Sequence, residues 1–198
     1  MAHGPRYSVP FRRRSEGKTD YKLRSALLRS GKPRAIIRSS NKYIYVQLVE
    51  ALSTGDIVKS SASSKELNAL GWKGGTGNLP AAYLTGVLAG RRAVARGITD
   101  TVLDLGLQSS TKGSKLYAAL KGLLDGGIAL PHSGDVLPSG SRLSGGHIAN
   151  YGKVISSEKI DVYKKRFSAY LGRGLRPEDL PGHFEQVKES IQSMKIEV

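Results

Sequence analysis

The sequence predicts an α/β fold in which a mixed sheet, an antiparallel meander followed by parallel strands, carries packed helices. Three observations predict it: a two-strand hairpin pattern at residues 33–49, alternating helix and strand patterns over residues 78–130, and flanking segments without strand patterns. A short turn joins antiparallel strands, whereas a helix between two strands permits a parallel pair. We therefore expect a basic N-terminal arm at 1–32, a globular α/β domain at 33–150 and a helical C-terminal extension at 151–198.

The N-terminal arm is strongly basic, with nine lysines and arginines facing only Glu16 and Asp20. A short helix is expected after Thr19 or Asp20 as its N-cap and before Gly31. Basic arms of this kind usually stay disordered until nucleic acid neutralises them, and a solubilising or targeting tail is the alternative. Aromatic residues interleaved with the arginines favour stacking on bases or riboses: Tyr7, Phe11 and Tyr21.

The hairpin pattern consists of strands Arg34–Ser39 and Tyr43–Val49 around the turn at 40–42. Because side chains alternate along a strand, one face is expected to enter the core: Ile44, Val46 and Leu48. The opposite face would hold Tyr43, Tyr45, Gln47 and Val49. The tip would present polar and basic groups outward: Arg38, Asn41 and Lys42. A plain surface hairpin with solvated charges is the alternative.

Further elements are predicted between residues 56 and 130. They are strands at Asp56–Ala62, Ile98–Leu105 and Ile128–Leu130, helices at Ser64–Leu70, 78–96 and Ser114–Leu124, and a glycine-rich loop at 71–77. Small residues in the helix at 78–96 would let it approach the sheet closely, and its larger residues would face the core: Tyr83, Leu84, Val87, Leu88 and Val94. Right-handed crossovers would bring the two later strands beside the first. This order resembles the ribonuclease H-like topology, a likeness of fold that carries no function.

The C-terminal part is predicted to be loop at 132–152 and helical at 157–171 and about 182–194. The last helix has an apolar stripe of Phe184, Val187 and Ile191. Such a helix docks either on its own core or on a neighbour, and the sequence does not choose between them.

The charge balance indicates a polyanionic partner. The chain has 31 Lys and Arg against 16 Asp and Glu, a net charge of +15. Nucleic acid and an anionic membrane surface are both candidates. No apolar run of 18 residues is present, the first residues lack the apolar core of a signal peptide, and the absence of Cys suits the cytosol. A membrane surface is disfavoured because the basic residues are not gathered on one amphipathic helix.

Catalytic and metal chemistry find little support in the sequence. Gly17-Lys18-Thr19 ends like a phosphate-binding loop, but Arg12 stands where that motif needs its first glycine. The four histidines have no ligand spacing. A nuclease of ribonuclease H type needs converging carboxylates, and the candidates are scattered: Asp100, Asp104, Asp125 and Asp135. Asp104 is expected to be a structural hydrogen-bonding residue. We expect no catalytic residue, metal, cofactor or small-molecule substrate, with an RNA-processing enzyme on a ribonuclease H-like fold as the alternative.

A series of motifs in one order then resembles a known family, the archaeal and eukaryotic branch of large-subunit ribosomal protein L18, which binds 5S rRNA. The matching stretches are Arg12-Arg13-Arg14 with Lys18-Thr19-Asp20-Tyr21, Gly31-Lys32-Pro33-Arg34, Ser40-Asn41-Lys42, Gly71-Trp72, Thr76-Gly77-Asn78 through Gly90, Val102-Leu103-Asp104, Gly113-Ser114-Lys115, Pro131-His132-Ser133 and Leu180-Pro181 with His183-Phe184. They cover nearly the whole chain. The bacterial branch lacks such a long tail, so the tail indicates the archaeal type.

The resemblance implies a non-catalytic protein of the cytoplasmic ribosome with a translational-machinery-component fold. Its partners would be 5S rRNA, 23S rRNA and neighbouring large-subunit proteins, including the second 5S rRNA-binding protein, in the central protuberance. The expected RNA-binding residues of the arm are Arg12, Arg13, Arg14, Lys18, Tyr21, Arg24, Arg29 and Lys32. Those of the hairpin and the glycine-rich loop are Arg38, Asn41, Lys42, Trp72 and Lys73. Lys112, Lys115 and Arg142 complete the set, with ordinary solvated charge as their alternative.

Overall fold

The computed structural model describes residues 4–194, which contain a four-stranded mixed sheet with helices packed on it. The strands are β1 (Arg34–Ser39), β2 (Ile44–Leu52), β3 (Gly55–Ser63) and β4 (Val102–Asp104). The helices are α1 (Arg12–Ser15), α2 (Tyr21–Leu28), α3 (Leu79–Ala95), α4 (Lys115–Asp125), α5 (Gly140–Leu143), α6 (Gly146–Glu158), α7 (Ile160–Arg166), α8 (Ser168–Leu171) and α9 (Leu180–Ser193). Short 3₁₀ turns lie at Glu66–Asn68, Gly134–Val136 and Pro177–Asp179.

The sheet has the order β3-β2-β1-β4, with β1–β2 and β2–β3 antiparallel and β4 parallel to β1. The predicted mixed sheet is therefore confirmed, and β1 has the predicted bounds. The strand predicted at Ile98–Leu105 shortens to β4. The one predicted at Ile128–Leu130 is reduced to a single bridge, Asp100 to Ala129, because Pro131 follows at once. The likeness to a ribonuclease H-like topology stays a prediction.

The core lies between one face of the sheet and the pair α3 and α4. The sheet contributes fully buried apolar side chains: Ala35, Ile37, Ile44, Val46 and Leu48. The alternation predicted for β2 is confirmed from Ile44 to Leu48, and Tyr45, which has the opposite parity, is exposed. Val49 was expected on the face of Tyr45 but is 2% exposed, and the pairing of β2 with β3 shifts register between Leu48 and Val49. The other sheet face carries no such helix pair, and we call it the open face.

Helices α3 and α4 meet backbone to backbone. A Cβ atom added to Gly86 would lie 2.2 Å from the Ala119 carbonyl oxygen, and one added to Gly122 would lie 2.1 Å from the Tyr83 carbonyl oxygen. The small residues of α3 were expected to fit against the sheet, but Gly86 and Gly90 face α4 and its C-cap instead. Val94 was expected in the core and is 41% exposed, because it lies on the last turn of α3.

The outer edge of the sheet is contacted by α3. Arg92 and Arg96 lie one helical turn apart and donate hydrogen bonds to backbone carbonyl oxygens of the edge strand β3, Arg92 to Ser61 at 2.7 Å and Arg96 to Lys59. The carbonyl groups of every second residue in a strand point to the same side, so both arginines bond to carbonyl groups on one side of β3.

The C-terminal part differs most from the sequence prediction. The predicted loop at 132–152 contains α5 and most of α6, whose buried positions are largely small residues. The predicted helix at 157–171 is broken into α7 and α8. Helix α9 buries the predicted stripe of Phe184, Val187 and Ile191 on the protein's own core. Within residues 4–194, no helix is long and apolar enough to cross a membrane.

Candidate nucleic-acid interface

The N-terminal arm lies against the open face of the sheet. Helix α2 begins where the sequence predicts, because the Asp20 carboxylate accepts hydrogen bonds from the backbone N–H groups of Lys22 (2.8 Å) and Leu23 (3.1 Å). Arg24 on α2 then reaches the sheet and forms a two-pronged pair with Asp56 on β3, both N···O distances being 2.8 Å. Asp56 therefore ties this part of the arm to the sheet.

A buried guanidinium lies at the centre of this contact. Arg34, the first residue of β1, is 2% exposed and donates to Asp56 at 2.6 Å and to Asp104 at 2.8 Å. Asp104 is 5% exposed and also accepts from the backbone N–H of Gly106 at 2.9 Å. The expectation that Asp104 is a structural hydrogen-bonding residue is confirmed. Charges buried this deeply need such partners, since water no longer solvates them.

The electrostatics of this group follow from its pairing. The hydrogen bond from Arg24 is the main cause that lowers the pKa of Asp56 below its ordinary value, and Arg34 adds to it. The same hydrogen bond raises the pKa of Arg24. Asp56 and Arg24 thus stay charged over the physiological range. In residues 4–194 no cluster of three or more His, Asp or Glu residues could hold a metal ion.

Arg38 does not point outward as predicted. Its guanidinium turns toward β4, where it donates to the Asp104 carboxylate at 2.9 Å and to the Asp104 backbone carbonyl at 2.7 Å. The reason is the short parallel pairing of β1 with β4, which the hairpin alone does not reveal. Its side chain remains 40% exposed, so it also borders the open face.

The hairpin tip is exposed at Asn41 and Lys42, as predicted. Its backbone carbonyl groups accept hydrogen bonds from other segments of the chain. Thr76 donates its hydroxyl to the Lys42 carbonyl at 2.8 Å, and the Lys115 ammonium donates to the Ser40 carbonyl at 2.9 Å. A Cβ at Gly77 would lie 2.6 Å from the Asn41 carbonyl oxygen. The glycine at position 77 therefore permits the loop to touch the tip.

Trp72 was expected to stack on RNA, and the structure places it elsewhere. Its ring is 2% exposed, lies 5.2 Å from the His183 ring in a stacked pair, and donates its indole N–H to the Gly75 carbonyl at 3.0 Å. A large apolar ring is more stable in the core than in water, so Trp72 holds the glycine-rich loop from the inside. Lys73, the next residue, is exposed.

His183 links this loop to α9 through a hydrogen bond that requires the neutral imidazole. Its Nε2 atom accepts from the backbone N–H of Lys73 at 3.0 Å. Burial, with the nearby Lys73 charge, lowers the pKa of His183 below its ordinary 6.5. Below pH 6.5 the unfolded chain then binds more protons at this site than the folded chain.

We expect the free energy of unfolding to fall as pH drops through 6.5 toward the lowered folded-state pKa, and to fall less in His183→Gln, which cannot titrate. The pKa of His147 is also lowered by burial, so part of the pH dependence is expected to remain in His183→Gln and to be lost when His147 is replaced as well. Urea unfolding at a series of pH values measures the effect. If the free energy of unfolding had the same pH dependence in wild type and His183→Gln, titration of His183 would not be its cause.

The remaining predicted RNA-binding residues are distributed as follows. Exposed side chains of the arm are Arg12, Arg13, Arg14, Lys18, Arg29 and Lys32. Arg12 and Lys18 pair with Glu16 at 3.4 Å and 2.8 Å, and Tyr21 lies half-buried with its ring 5.0 Å from that of Phe11. Lys112 is exposed beside Asp135 at 3.7 Å. Arg142 is exposed on α5, which packs against α3 and α6 rather than against the arm.

A cleft of about 490 Å³ separates the arm from the open face. Its charged lining consists of five cations and three carboxylates: Arg13, Lys18, Arg24, Arg34, Arg38, Asp20, Asp56 and Asp104. Arg24, Arg34 and Arg38 pair with Asp56 and Asp104, so three cations face two carboxylates inside the cleft. Arg13 and Lys18 are exposed at the rim, where Lys18 also pairs with Glu16. A surplus of exposed cations along a groove is suited to a phosphate backbone.

Sequence reasoning missed three residues that shape this interface. Arg34 opens an apolar strand, which is itself a signal of a buried ion pair. Gln108 accepts from the Ser39 N–H at 3.1 Å and donates to its carbonyl at 2.7 Å, and Arg173 donates to the Gly74 carbonyl at 2.7 Å. The last two contacts span large sequence separations, and no local pattern indicates them.

Comparison with known proteins decides the family. The family described as "Ribosomal large subunit proteins 60S L5, and 50S L18" matches residues 5–101 and 95–133. The chain belongs to this family. The large ribosomal subunit protein uL18 of Aeropyrum pernix is 51% identical over 193 residues, 97% of this chain and 90% of that protein. The uL18 of Methanothermobacter thermautotrophicus is 48% identical over 191 residues, 96% of this chain and 98% of that protein.

Membership of the L18 family confirms the resemblance found in the sequence, including the archaeal type. It implies a structural, non-enzymatic role in the large subunit of the cytoplasmic ribosome. The alignments run through the arm and the C-terminal helices as well as the α/β domain.

Proposed function

We propose that this L18-family chain binds 5S rRNA and anchors it to 23S rRNA in the central protuberance of the large ribosomal subunit. Its neighbours there would include the second 5S rRNA-binding ribosomal protein. The observation that carries the proposal is the positively charged cleft between the arm and the open face, in a chain of this family.

The proposed mechanism has two kinds of basic residue. Exposed cations, of which Arg12 and Lys18 also pair with Glu16 and Lys32 with Asp100, meet RNA phosphates and release condensed counterions. They are Arg12, Arg13, Arg14, Lys18, Arg29, Lys32, Lys42, Lys73 and, more distantly, Lys112 and Arg142. Asn41 would follow the backbone shape from the hairpin tip. Paired or bracing residues hold these surfaces in place: Arg24, Arg38 and Lys115.

Fixing the arm before RNA arrives lowers the cost of binding. A disordered arm loses conformational entropy when it orders on RNA, whereas α2 is already capped by Asp20 and tied to Asp56. In this proposal each part of the chain has its own role. The arm binds phosphates, the α/β domain is the scaffold, and the C-terminal extension supports the glycine-rich loop.

The test is the salt dependence of 5S rRNA binding by the full chain. Replacing Arg12, Arg13 and Arg14 with alanine is expected to reduce the log–log salt slope by about 2–3, since each phosphate contact contributes about 0.7–0.9. The matched control replaces Lys153, Lys164 and Lys165, which are exposed cations of the C-terminal helices, and removes the same charge.

Wild-type protein should prefer 5S rRNA to a length-matched transcript at physiological salt. Equal binding to both RNAs would contradict the proposed 5S specificity. Equal slopes for the arm variant and its control would contradict the role of the arm.

A further inference from the structure

The open face of the sheet carries one uncovered aromatic ring. Tyr45 lies on β2, a strand with sheet neighbours on both sides, yet it is 44% exposed. A side chain in that position is normally covered by a second layer of the fold. Here the second layer, α3 and α4, lies on the opposite face, and the arm covers the other end of the open face.

The neighbours of Tyr45 leave its ring free. Its cross-strand partner on β1 is Arg38, whose guanidinium is drawn away toward Asp104 on β4. Its partner on β3 is Ser63, which is too small to cover a ring. Tyr43, two positions earlier on the same face, meets it edge-on, with ring centroids 6.5 Å apart and an interplanar angle of 63°.

The ring adjoins the positively charged cleft. Gln47, two positions further along β2 and on the same face, lines the cleft with Arg38. Two residues of a strand span about 7 Å, which is within the reach of one extended nucleotide. A phosphate in the cleft would therefore put its base within reach of Tyr45.

We propose that Tyr45, supported edge-on by Tyr43, is a stacking platform for an unpaired RNA base whose phosphates lie in the cleft. This rests on the proposed RNA-binding function and adds a subsite to it. An aromatic face flanked by arginine and amide side chains is suited to bases, since every base has a π-face. A protein partner is less suited, because the strand neighbours of Tyr45 other than Tyr43 are polar (Ser63, Gln47 and Arg38) and do not form a contiguous apolar patch.

The test compares Tyr45→Phe with Tyr45→Leu in the full chain bound to 5S rRNA. Phenylalanine keeps the π-face and leucine keeps only apolar bulk. Affinity is expected to stay within about 2-fold for Tyr45→Phe and to fall by about 5- to 150-fold for Tyr45→Leu. Tyr151→Leu, at a similarly exposed tyrosine on α6, is the matched control and is expected to bind like wild type.

A second measurement reports stacking directly. The Tyr45→Trp variant is expected to lose fluorescence emission on binding 5S rRNA, whereas wild type, whose sole tryptophan is the buried Trp72, is expected to change little. Equal affinity of Tyr45→Phe and Tyr45→Leu, or unquenched emission from RNA-bound Tyr45→Trp, would overturn the platform and leave RNA binding intact. Failure of the wild type to prefer 5S rRNA would instead count against the proposed function.

Discussion

Replacing Asp104 with alanine is expected to lower the free energy of unfolding by about 3 kcal/mol. Removing one partner of a buried ion pair leaves the other charge without compensation. Arg34, which is 2% exposed, would keep only Asp56, and Arg38 would lose its carboxylate. Because Arg34 keeps its pair with Asp56, we expect a stability loss at the lower end of those found when one partner of a buried ion pair is removed. Equilibrium unfolding in urea measures the loss.

The matched control is Asp100→Ala, which also removes a carboxylate paired with a lysine or arginine. Asp100 is half exposed and pairs with Lys32, so a loss under about 1 kcal/mol is expected. A double variant that also changes Arg34 to Met removes the stranded charge, and its loss should be smaller than the sum of the two single losses. Similar small losses for Asp104→Ala and Asp100→Ala would show that the buried network contributes little.

Replacing Gly122 with alanine is expected to destabilise the protein by about 3 kcal/mol, although alanine is the better helix former by about 1 kcal/mol. The added Cβ would lie 2.1 Å from the Tyr83 carbonyl oxygen, so α3 and α4 would have to separate. Both helices contribute to the core beneath the sheet, which spreads the cost over many contacts. Thermal or urea unfolding measures it.

The control for Gly122 is another helical glycine changed to the same residue. Gly182, in the first turn of α9, has open space where its Cβ would lie. Gly182→Ala is expected to stabilise the protein by about 0.5–1 kcal/mol, the opposite sign. The same sign for both variants would contradict the close packing of α3 on α4.

Local patterns in the sequence predicted the hairpin well because side-chain alternation and turn residues are local properties. The bounds of β1 agree, and the buried parity of β2 agrees at Ile44, Val46 and Leu48. The length of β4 was overestimated because an apolar run signals burial but does not say how many residues find a partner strand. Helix α6 was missed because its buried positions, Ala149 and Gly152 among them, are small and give no periodic apolar stripe.

The sequence predicted which residues of the arm and the hairpin tip are exposed, but it did not predict where Trp72 and Arg38 lie. The exposed arginines of the arm and the tip residues Asn41 and Lys42 follow from charge and turn chemistry. The positions of Trp72 and Arg38 depend on His183 and Asp104, which lie far away in the sequence. Only the folded chain brings such partners together, so local sequence alone predicts a ligand contact for an aromatic or basic residue whose structural partner is distant.

The two arginines that reach over the edge of the sheet affect how the chain behaves before it meets RNA. An unpaired edge strand offers carbonyl groups to any other strand that approaches it. Arg92, which also pairs with Glu66 at 2.8 Å, and Arg96 occupy the carbonyl groups of Ser61 and Lys59, and Arg96 places positive charge at this edge of β3. A second copy that approached this edge would meet occupied acceptors and like charge. The side chains that cover this edge of β3 thus come from α3 and its C-terminal cap residue, and no RNA contact is needed to place them.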